Sequence, residues 1–596
     1  MTSMENAAQG SLQRPDFFMI AGYFVLMLAI GVYFYRYMKR MKDYFSGGSA
    51  IPWWLSGVSF YMTSFSVAAF VFYPSICYRY GWVGVTLLWV AVPATLFSVL
   101  LFAKRWRRAR IDSPVEYLET RYNPLLRQIF AWQGIPVRMI DDGIKLFATG
   151  KFISICTGVD INYSILGAGG IMLIYTFMGG LWAVMVTDFV QFVVLTAGLL
   201  VILPLSLQQA GGLSQVFTNS PEGFFRMTSE EYSWTYVIPL IMLYSLAWSS
   251  INWALIQRYY CVPKERDALK VGWMVVALYI IGPPLMFFPA IAARQFIPTL
   301  QDAGDIYPIL CAKLLPAGML GLAIAAMFAA TMSTLSGDYN ACAGVLTNDV
   351  YRRLFRPKAS QKELVAVGRL MTLLVGVIAL GTALVLARGR AESMFRIMVT
   401  LFGVATAPVA VPMLLGLLSR RYTGRSAVIG FLCGTVVGLL LFALSFHKSP
   451  LSLAGISWVP ESEEFLLGGL KVKLEIAMFL STALITYAMM ELTSWLAPAH
   501  SDELERAQAF LARLDVPIGK LAEDQEHDDA GGATIISPFR IVGVCVAVIG
   551  VMMLALVPWI HEATPRMLDI ILGSILLLAG VFVAWSSKRD LIGSKS

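Results

Sequence analysis

Gly179-Gly-Leu-Trp-Ala-Val-Met-Val-Thr-Asp-Phe-Val-Gln-Phe192 sets one carboxylate, Asp188, inside a segment that is otherwise long and apolar. A carboxylate in hydrocarbon is expensive and marks an ion or solute path, or else it lies near a helix end where backbone or a lysine holds it. Two glycines open the stretch directly after another apolar segment and read as a break between two helices. The whole chain of 596 residues shares this character, being 57% hydrophobic and only 14% charged. Apolar runs of about 20 residues recur along it, the signature of a polytopic helical membrane protein. They are too long and too uniform for the alternating strands of a barrel.

Runs of this length give about fifteen membrane-crossing helices, among them 128–157, 162–178 and 182–208. Basic clusters check the count. Arg36 to Arg40, Lys104 to Arg108, Arg258 to Lys270, Arg352-Arg353, Arg420-Arg421 and Lys588-Arg589 each follow an odd-numbered span. Basic loop residues stay cytoplasmic, which puts the N-terminus outside and the C-terminus inside, in a plasma membrane or a bacterial inner membrane. The net charge of +8 therefore reads as topology and not as a nucleic-acid surface. Seven cysteines without CxxC spacing read as buried small hydrophobes, and the four histidines form no metal-ligand cluster. No convergent acid–base or metal constellation points to an enzyme. A polar leader of about 15 residues precedes a first apolar run too long for a signal peptide, so no cleavable leader is expected. Residues 447–472 read as an outer loop. Residues 495–538 read as an inner loop, a solvated linker holding one short amphipathic helix.

Further stretches join the opening one in a fixed order. They are Asp43-Tyr-Phe-Ser-Gly-Gly with Pro52-Trp-Trp54, Ser113-Pro-Val-Glu-Tyr-Leu-Glu-Thr-Arg-Tyr122, Asn252-Trp-Ala-Leu-Ile-Gln-Arg258, and Met327 to Tyr351. Together they resemble the sodium:solute symporter family over about residues 16–420. The resemblance implies an all-α, leucine-transporter-like membrane fold with two inverted five-helix repeats. On this chain that makes 1–50 an extra helix and loop, 51–208 the first repeat, 209–233 an outer loop, 234–420 the second repeat, and 421–596 extra C-terminal helices. The first core helix of each repeat is expected to be broken near the midplane. Met62-Thr-Ser-Phe-Ser66 and Trp248-Ser-Ser250 are polar interruptions at suitable depth, although their hydroxyls could instead satisfy backbone or pack helices.

Sodium, co-transported and not resident, wants oxygen ligands as other hard cations do. Aligned on Trp54 and Gly57, the family's carbonyl ligands in the first core helix fall on Met62 and Phe65. In the eighth core helix they fall on the carbonyl of Ala330 and the hydroxyls of Ser333 and Thr334. The resemblance also implies, for some members, a second cage around Asp188 with hydroxyls at Ser336 and Gly337. Gly337 has no hydroxyl here, although Asp338 follows, so Asp188 could instead tune release of the first ion. The solute-facing positions fall on Ser64, Ser66, Ala69, Asp141, Asn252 and Tyr279. Asn252 matches the family's sugar transporters, whereas Ala69, Tyr279 and Val399 stand where those have an amide, a lysine and a glutamine. Asp141 lies in a span with Arg138, Asp142 and Lys145, where Arg138–Asp142 or Asp141–Lys145 could equally be i,i+4 pairs. The resemblance therefore implies a sodium-coupled secondary symporter of a small polar organic solute (sugar, amino acid or organic ion) working by alternating access. Its partners would be that solute, sodium and the lipid bilayer, with no nucleic acid. The rival is a non-transporting receptor that keeps the fold.

Overall fold

The computed structural model describes residues 12–35, 47–64, 66–111, 113–300, 302–387, 391–444, 464–467, 470–521 and 538–593. The helices that carry the argument are α1 (Arg14–Tyr35), α2 (Trp53–Thr63), α3 (Val67–Tyr80), α4 (Val83–Arg108), α5 (Pro124–Thr157) and α6 (Ile161–Gln209) in the first part of the chain. The second part adds α7 (Trp234–Leu246), α8 (Trp253–Tyr260), α9 (Glu265–Ala293), α10 (Met319–Val345), α11 (Gln361–Leu386) and α12 (Ala391–Leu418). The C-terminal part holds α13 (Gly424–Leu444), α14 (Leu474–Leu496), α15 (Ser501–Asp515), α16 (Pro538–Leu554) and α17 (Ala563–Gly593).

Among the described residues, 12 helices are long and apolar enough to cross a membrane, or up to 14 if each of two bent helix pairs counts as one span. About fifteen were expected, and the difference lies at α5 and α6. Asn123 caps α5 by accepting from the Leu126 N–H at 2.8 Å, and Pro124 opens its first turn. Gly158, left-handed at φ 74°, ends it. Asp160 then caps α6 by accepting from the Asn162 N–H at 2.9 Å, and the chain turns through 120°. Beyond that turn α6 runs unbroken for 49 residues. The break expected at Gly179-Gly180 is absent. Glycine keeps its N–H, so the helical hydrogen-bond ladder can run through both.

Two helices do break. The first ends at Thr63, where the Ser64 N–H donates to the Tyr61 carbonyl at 3.2 Å. Ser66 starts α3 by accepting from the Ala68 N–H at 3.3 Å, and the two arms bend by 61°. The second loosens into a π-helical turn at Ala247–Ile251 and leaves helical geometry at Asn252 (φ −80°, ψ 83°). The Asn252 carboxamide then accepts from the Leu255 N–H at 3.4 Å to start α8. At the centre lies α10, buried along its whole length, against α1, α2, α5, α6 and α11. Asp16 of α1 caps its N-terminus, accepting from the Gly318 and Gly321 N–H groups at 2.7 and 2.8 Å. Large apolar side chains stay exposed on the outer faces of α13, α14, α16 and α17, among them Leu439, Leu484, Val551 and Leu578, as lipid contact requires. Within the expected outer loop, strands β1 (Glu464–Leu467) and β2 (Leu470–Lys473) pair antiparallel, Glu464 opposite Lys473.

Candidate functional site

The first break lies along α10. The Val67 N–H donates to Thr331 Oγ1 at 3.0 Å, and a Cβ added at Gly337 would lie 3.0 Å from Thr63 Cγ2. Between those two contacts fall Ser333 and Thr334. Thr334 Oγ1 donates to the Ala330 carbonyl at 3.2 Å, whereas the Ser333 hydroxyl is fully buried, faces the Asp188 carboxylate and makes no close hydrogen bond. Met62 is buried in the last turn of α2, where carbonyls lack the partners a continuing helix would give them. Phe65 lies outside the described residues. Carbonyls such as those of Met62 and Ala330 and hydroxyls such as those of Ser333 and Thr334 are the oxygen types a small hard cation takes. A buried hydroxyl without a close hydrogen bond is the group such an ion would satisfy.

Asp188 is held through one carboxylate oxygen, while its Oδ1 is buried without a hydrogen-bond partner. Ser59 donates to its Oδ2, and Arg258 Nη2 reaches the same oxygen at 3.5 Å, with both charged side chains fully buried. Arg258 also donates to Ser59 Oγ at 3.1 Å, Thr63 Oγ1 at 2.9 Å and the Ala254 carbonyl at 2.9 Å. It therefore leaves the cytoplasmic cluster to which its position after α7 had assigned it. The remaining groups of the second cage are engaged elsewhere. Ser336 Oγ donates to the Ser333 carbonyl at 3.1 Å. Asp338 binds Arg138 through Oδ1 and Lys145 through Oδ2, the latter at 2.9 Å. Asp188 and Asp338 thus lie in two separate ion-pair groups.

The charges of α5 also differ from one of the two intrahelical pairings. Arg138 bypasses Asp142 and reaches across to Asp338 on α10 and to the Ile251 carbonyl at the second break. Lys145 does pair with Asp141, at 2.7 Å, and also meets Asp142 at 3.2 Å.

Both breaks open on one cavity of about 180 Å³. Ser64, Ser66, Ala69, Asp141 and Asn252 line it, with Thr63, Thr334 and Lys145. Tyr279 does not line it. Its hydroxyl donates to Ser64 Oγ and its ring stacks behind Trp248 at 5.3 Å, so it is a support for the wall. Tyr73, Tyr236, Tyr244 and Trp248 face the cavity, with Tyr73 and Tyr244 hydroxyls 3.1 Å apart. Sequence reasoning missed this aromatic wall, because Tyr and Trp in membrane helices read as interfacial anchors. Asp141, Asn252 and Phe402 also line a second cavity of about 30 Å³ that continues to Arg138 and Val409.

A profile of the sodium:solute symporter family matches residues 44–434. The sodium/sialic acid symporter SiaT of Proteus mirabilis (strain HI4320) is 27% identical over 441 residues, covering 71% of this chain and 88% of its own. The sodium/glucose cotransporter of Vibrio parahaemolyticus is 26% identical over 487 residues, covering 76% and 88%. Sodium/myo-inositol cotransporter 2 of Homo sapiens is 25% identical over 563 residues, covering 86% and 81%. A solved outward-open, substrate-bound sodium-coupled sialic acid symporter has the same leucine-transporter-like fold, with a TM-score of 0.71 at 22% identity over 82% of this chain and 99% of its own. With the family profile matched over most of its length, this chain belongs to the sodium:solute symporter family.

Proposed function

We propose that this chain is a sodium-driven symporter in which sodium binds at Met62, Phe65, Ala330, Ser333 and Thr334 and a small polar organic solute binds in the adjoining cavity. One observation carries the reading. The buried Ser333 hydroxyl, without a close hydrogen bond and facing Asp188, lies beside Thr334, and Thr334 itself lines the cavity between the two broken helices. An ion there is one residue from the solute, which is what coupling needs. The relatives named above as sialic acid, glucose and myo-inositol carriers support a small polar solute of some kind.

Residues 51–208 and 234–420 act as the two inverted repeats, each opening on a broken helix. The cavity runs from the breaks toward Tyr73, Tyr232 and Tyr236, the helix ends opposite the basic clusters at 104–108 and 264–270. With those clusters cytoplasmic, the N-terminus is outside and the cavity faces outward, in a plasma membrane or bacterial inner membrane. Rocking of one bundle would close it and extend the smaller cavity beyond Asp141, Asn252 and Phe402. Asp188, paired with Arg258 beside Thr63, stands where it would tune release of the ion, and not as a second site. One inward charge gains about 2.3 kcal/mol per 100 mV of potential.

The test is Ser333→Ala with Thr334→Ala in proteoliposomes. Loss of two oxygen ligands from a largely dehydrated ion should raise the sodium concentration for half-maximal uptake about tenfold or more. Uptake whose sodium dependence matches the wild type would remove the assignment.

A further inference from the structure

We infer that α15 is a strap holding the cytoplasmic side of the protein shut, and that its arginine clasp must open before solute can leave inward, a role that rests on the transport cycle proposed above.

Two units flank the inward route. The small cavity beyond Asp141 is lined by Gly134 and Val137 of α5 and Val409 of α12 on one side, and by Trp253 at the start of α8 on the other. The cytoplasmic ends of α5 and α12 are tied together. Arg121 donates to the Gly416, Ser419 and Tyr422 carbonyls at 3.1, 2.6 and 3.0 Å, and the Tyr122 hydroxyl donates to the Pro412 carbonyl at 3.0 Å. The end of α4 is tied to α8 and its flanks in the same way. Arg107 donates to the Val262 and Pro263 carbonyls at 2.6 and 2.9 Å, and Trp106 Nε1 to the Ser249 carbonyl at 2.9 Å. Extending the small cavity to the cytoplasm means parting these two units. Residues 111–116 join them along the chain, and Trp106 meets Tyr117 edge to face at 5.3 Å.

Both units are spanned by α15. Its first part lies on the α5–α12 unit, where Arg506 donates to the Tyr122 carbonyl at 2.9 Å and Phe510 stacks on Tyr117 at 5.7 Å. Residues 497–500 join it to α14, which packs on α12, so this end travels with that unit. Its far end is held by the α4–α8 unit. Arg108 donates to the Leu514 and Asp515 carbonyls at 3.3 Å each. Arg110 donates to the Arg513, Val516 and Pro517 carbonyls at 3.4, 3.3 and 3.2 Å. Glu265, which opens α9, completes the clasp by pairing with Arg108 at 3.1 Å and accepting from the Ile518 N–H at 3.4 Å. At these lengths each bond is weak and the hold comes from their number, which suits a clasp that opens.

The clasp is also strained. Arg110 has φ 53°, in the left-handed region that favours glycine. A residue keeps such a backbone only where its surroundings hold it there. The carbonyls of α15 and its C-terminal flank do so through the guanidinium, and releasing them lets the backbone relax.

The full-length protein in inverted membrane vesicles provides the test. Val409→Cys places a thiol at the cytoplasmic end of the small cavity, and a membrane-impermeant maleimide added to the vesicles reads how much of the time that end is open. Rates are taken with and without sodium, against protein lacking the added cysteine. With the clasp intact, labelling should be slow, and slower in sodium, which favours the outward-facing state. Adding Arg110→Gln removes the clasp's carbonyl bonds and should raise the rate about tenfold. Phe510→Ala loosens the other end and should change the rate in the same direction, which keeps the test decisive where Arg110→Gln does not fold. If the folded variants label no faster than Val409→Cys alone while sodium still slows labelling, the strap fails and the symport cycle stands. If sodium leaves labelling unchanged, the sodium-coupled cycle fails, while faster labelling of the variants still supports the strap.

Discussion

Asp188 was legible as unusual from its neighbours alone, since no other reading of a carboxylate amid Val, Met and Phe is cheap. Its partner was not. Arg258 follows α7 and opens a run of basic residues, so in sequence it looks like a loop charge, yet it is fully buried and 70 residues away from the carboxylate it meets. Only the packing of α8 against α2 reveals this. A buried ion pair contributes little net stability, because desolvation of both ions offsets their attraction. Removing one partner is what costs, about 3–5 kcal/mol. Arg258→Met should therefore destabilise the protein by that amount, and adding Asp188→Asn should recover most of it. Thermal unfolding of the detergent-purified single and double variants checks this. Equal stability of Arg258→Met and wild type would mean that Asp188 is not held as an ion by Arg258. The same limit applied to Ser333 and Thr334. Sequence placed them on one helix, while the lack of a close hydrogen bond for the Ser333 hydroxyl is a fact of three dimensions.

At the scale of elements, the sequence spoke clearly wherever a run of apolar residues matched the bilayer. It misled at Gly179-Gly180, where two glycines leave the helical hydrogen bonds intact. It was also silent about docking. The inner segment read as a solvated linker contains α15, whose Ala507, Phe510 and Leu514 are buried. Phe510 stacks on Tyr117 at 5.7 Å. Arg108 donates to the Leu514 and Asp515 carbonyls at 3.3 Å each, and Arg110 to the Val516 and Pro517 carbonyls at 3.3 and 3.2 Å. Arginines thus satisfy the carbonyls that the end of a helix leaves free. Amphipathic spacing announced an apolar face, but not which surface would cover it. Phe510→Ala should remove about 3 kcal/mol of that contact. Amide exchange over residues 501–515 should then accelerate while α10 is unaffected. Unaltered exchange in the segment would mean that Phe510 does not hold it down.

For the whole molecule, the remaining question is how many ions travel with each solute. A second sodium needs a second cage, and its candidate groups already hold other partners, although Asp188 Oδ1 does not. Asp188 is paired with Arg258, Ser336 donates to its own helix, and Asp338 is held by Arg138 and Lys145. At Gly337 an added Cβ would lie 3.1 Å from Arg258 Nη2, so the guanidinium crowds the place where a hydroxyl would have to stand. We predict one sodium per solute. The prediction can be tested at zero membrane potential, where the charge of the solute drops out. Against a tenfold inward solute gradient, net flux should vanish when the opposing sodium gradient is also about tenfold, since each tenfold ratio is worth about 1.4 kcal/mol. With two sodium ions each would need to supply only half, and flux would vanish at about threefold. Proteoliposomes clamped with potassium and valinomycin, scanned over the sodium gradient, separate the two values. A null point near threefold would mean that Asp188 exchanges Arg258 for an ion during the cycle, and that the ion pair seen here belongs to one state of it.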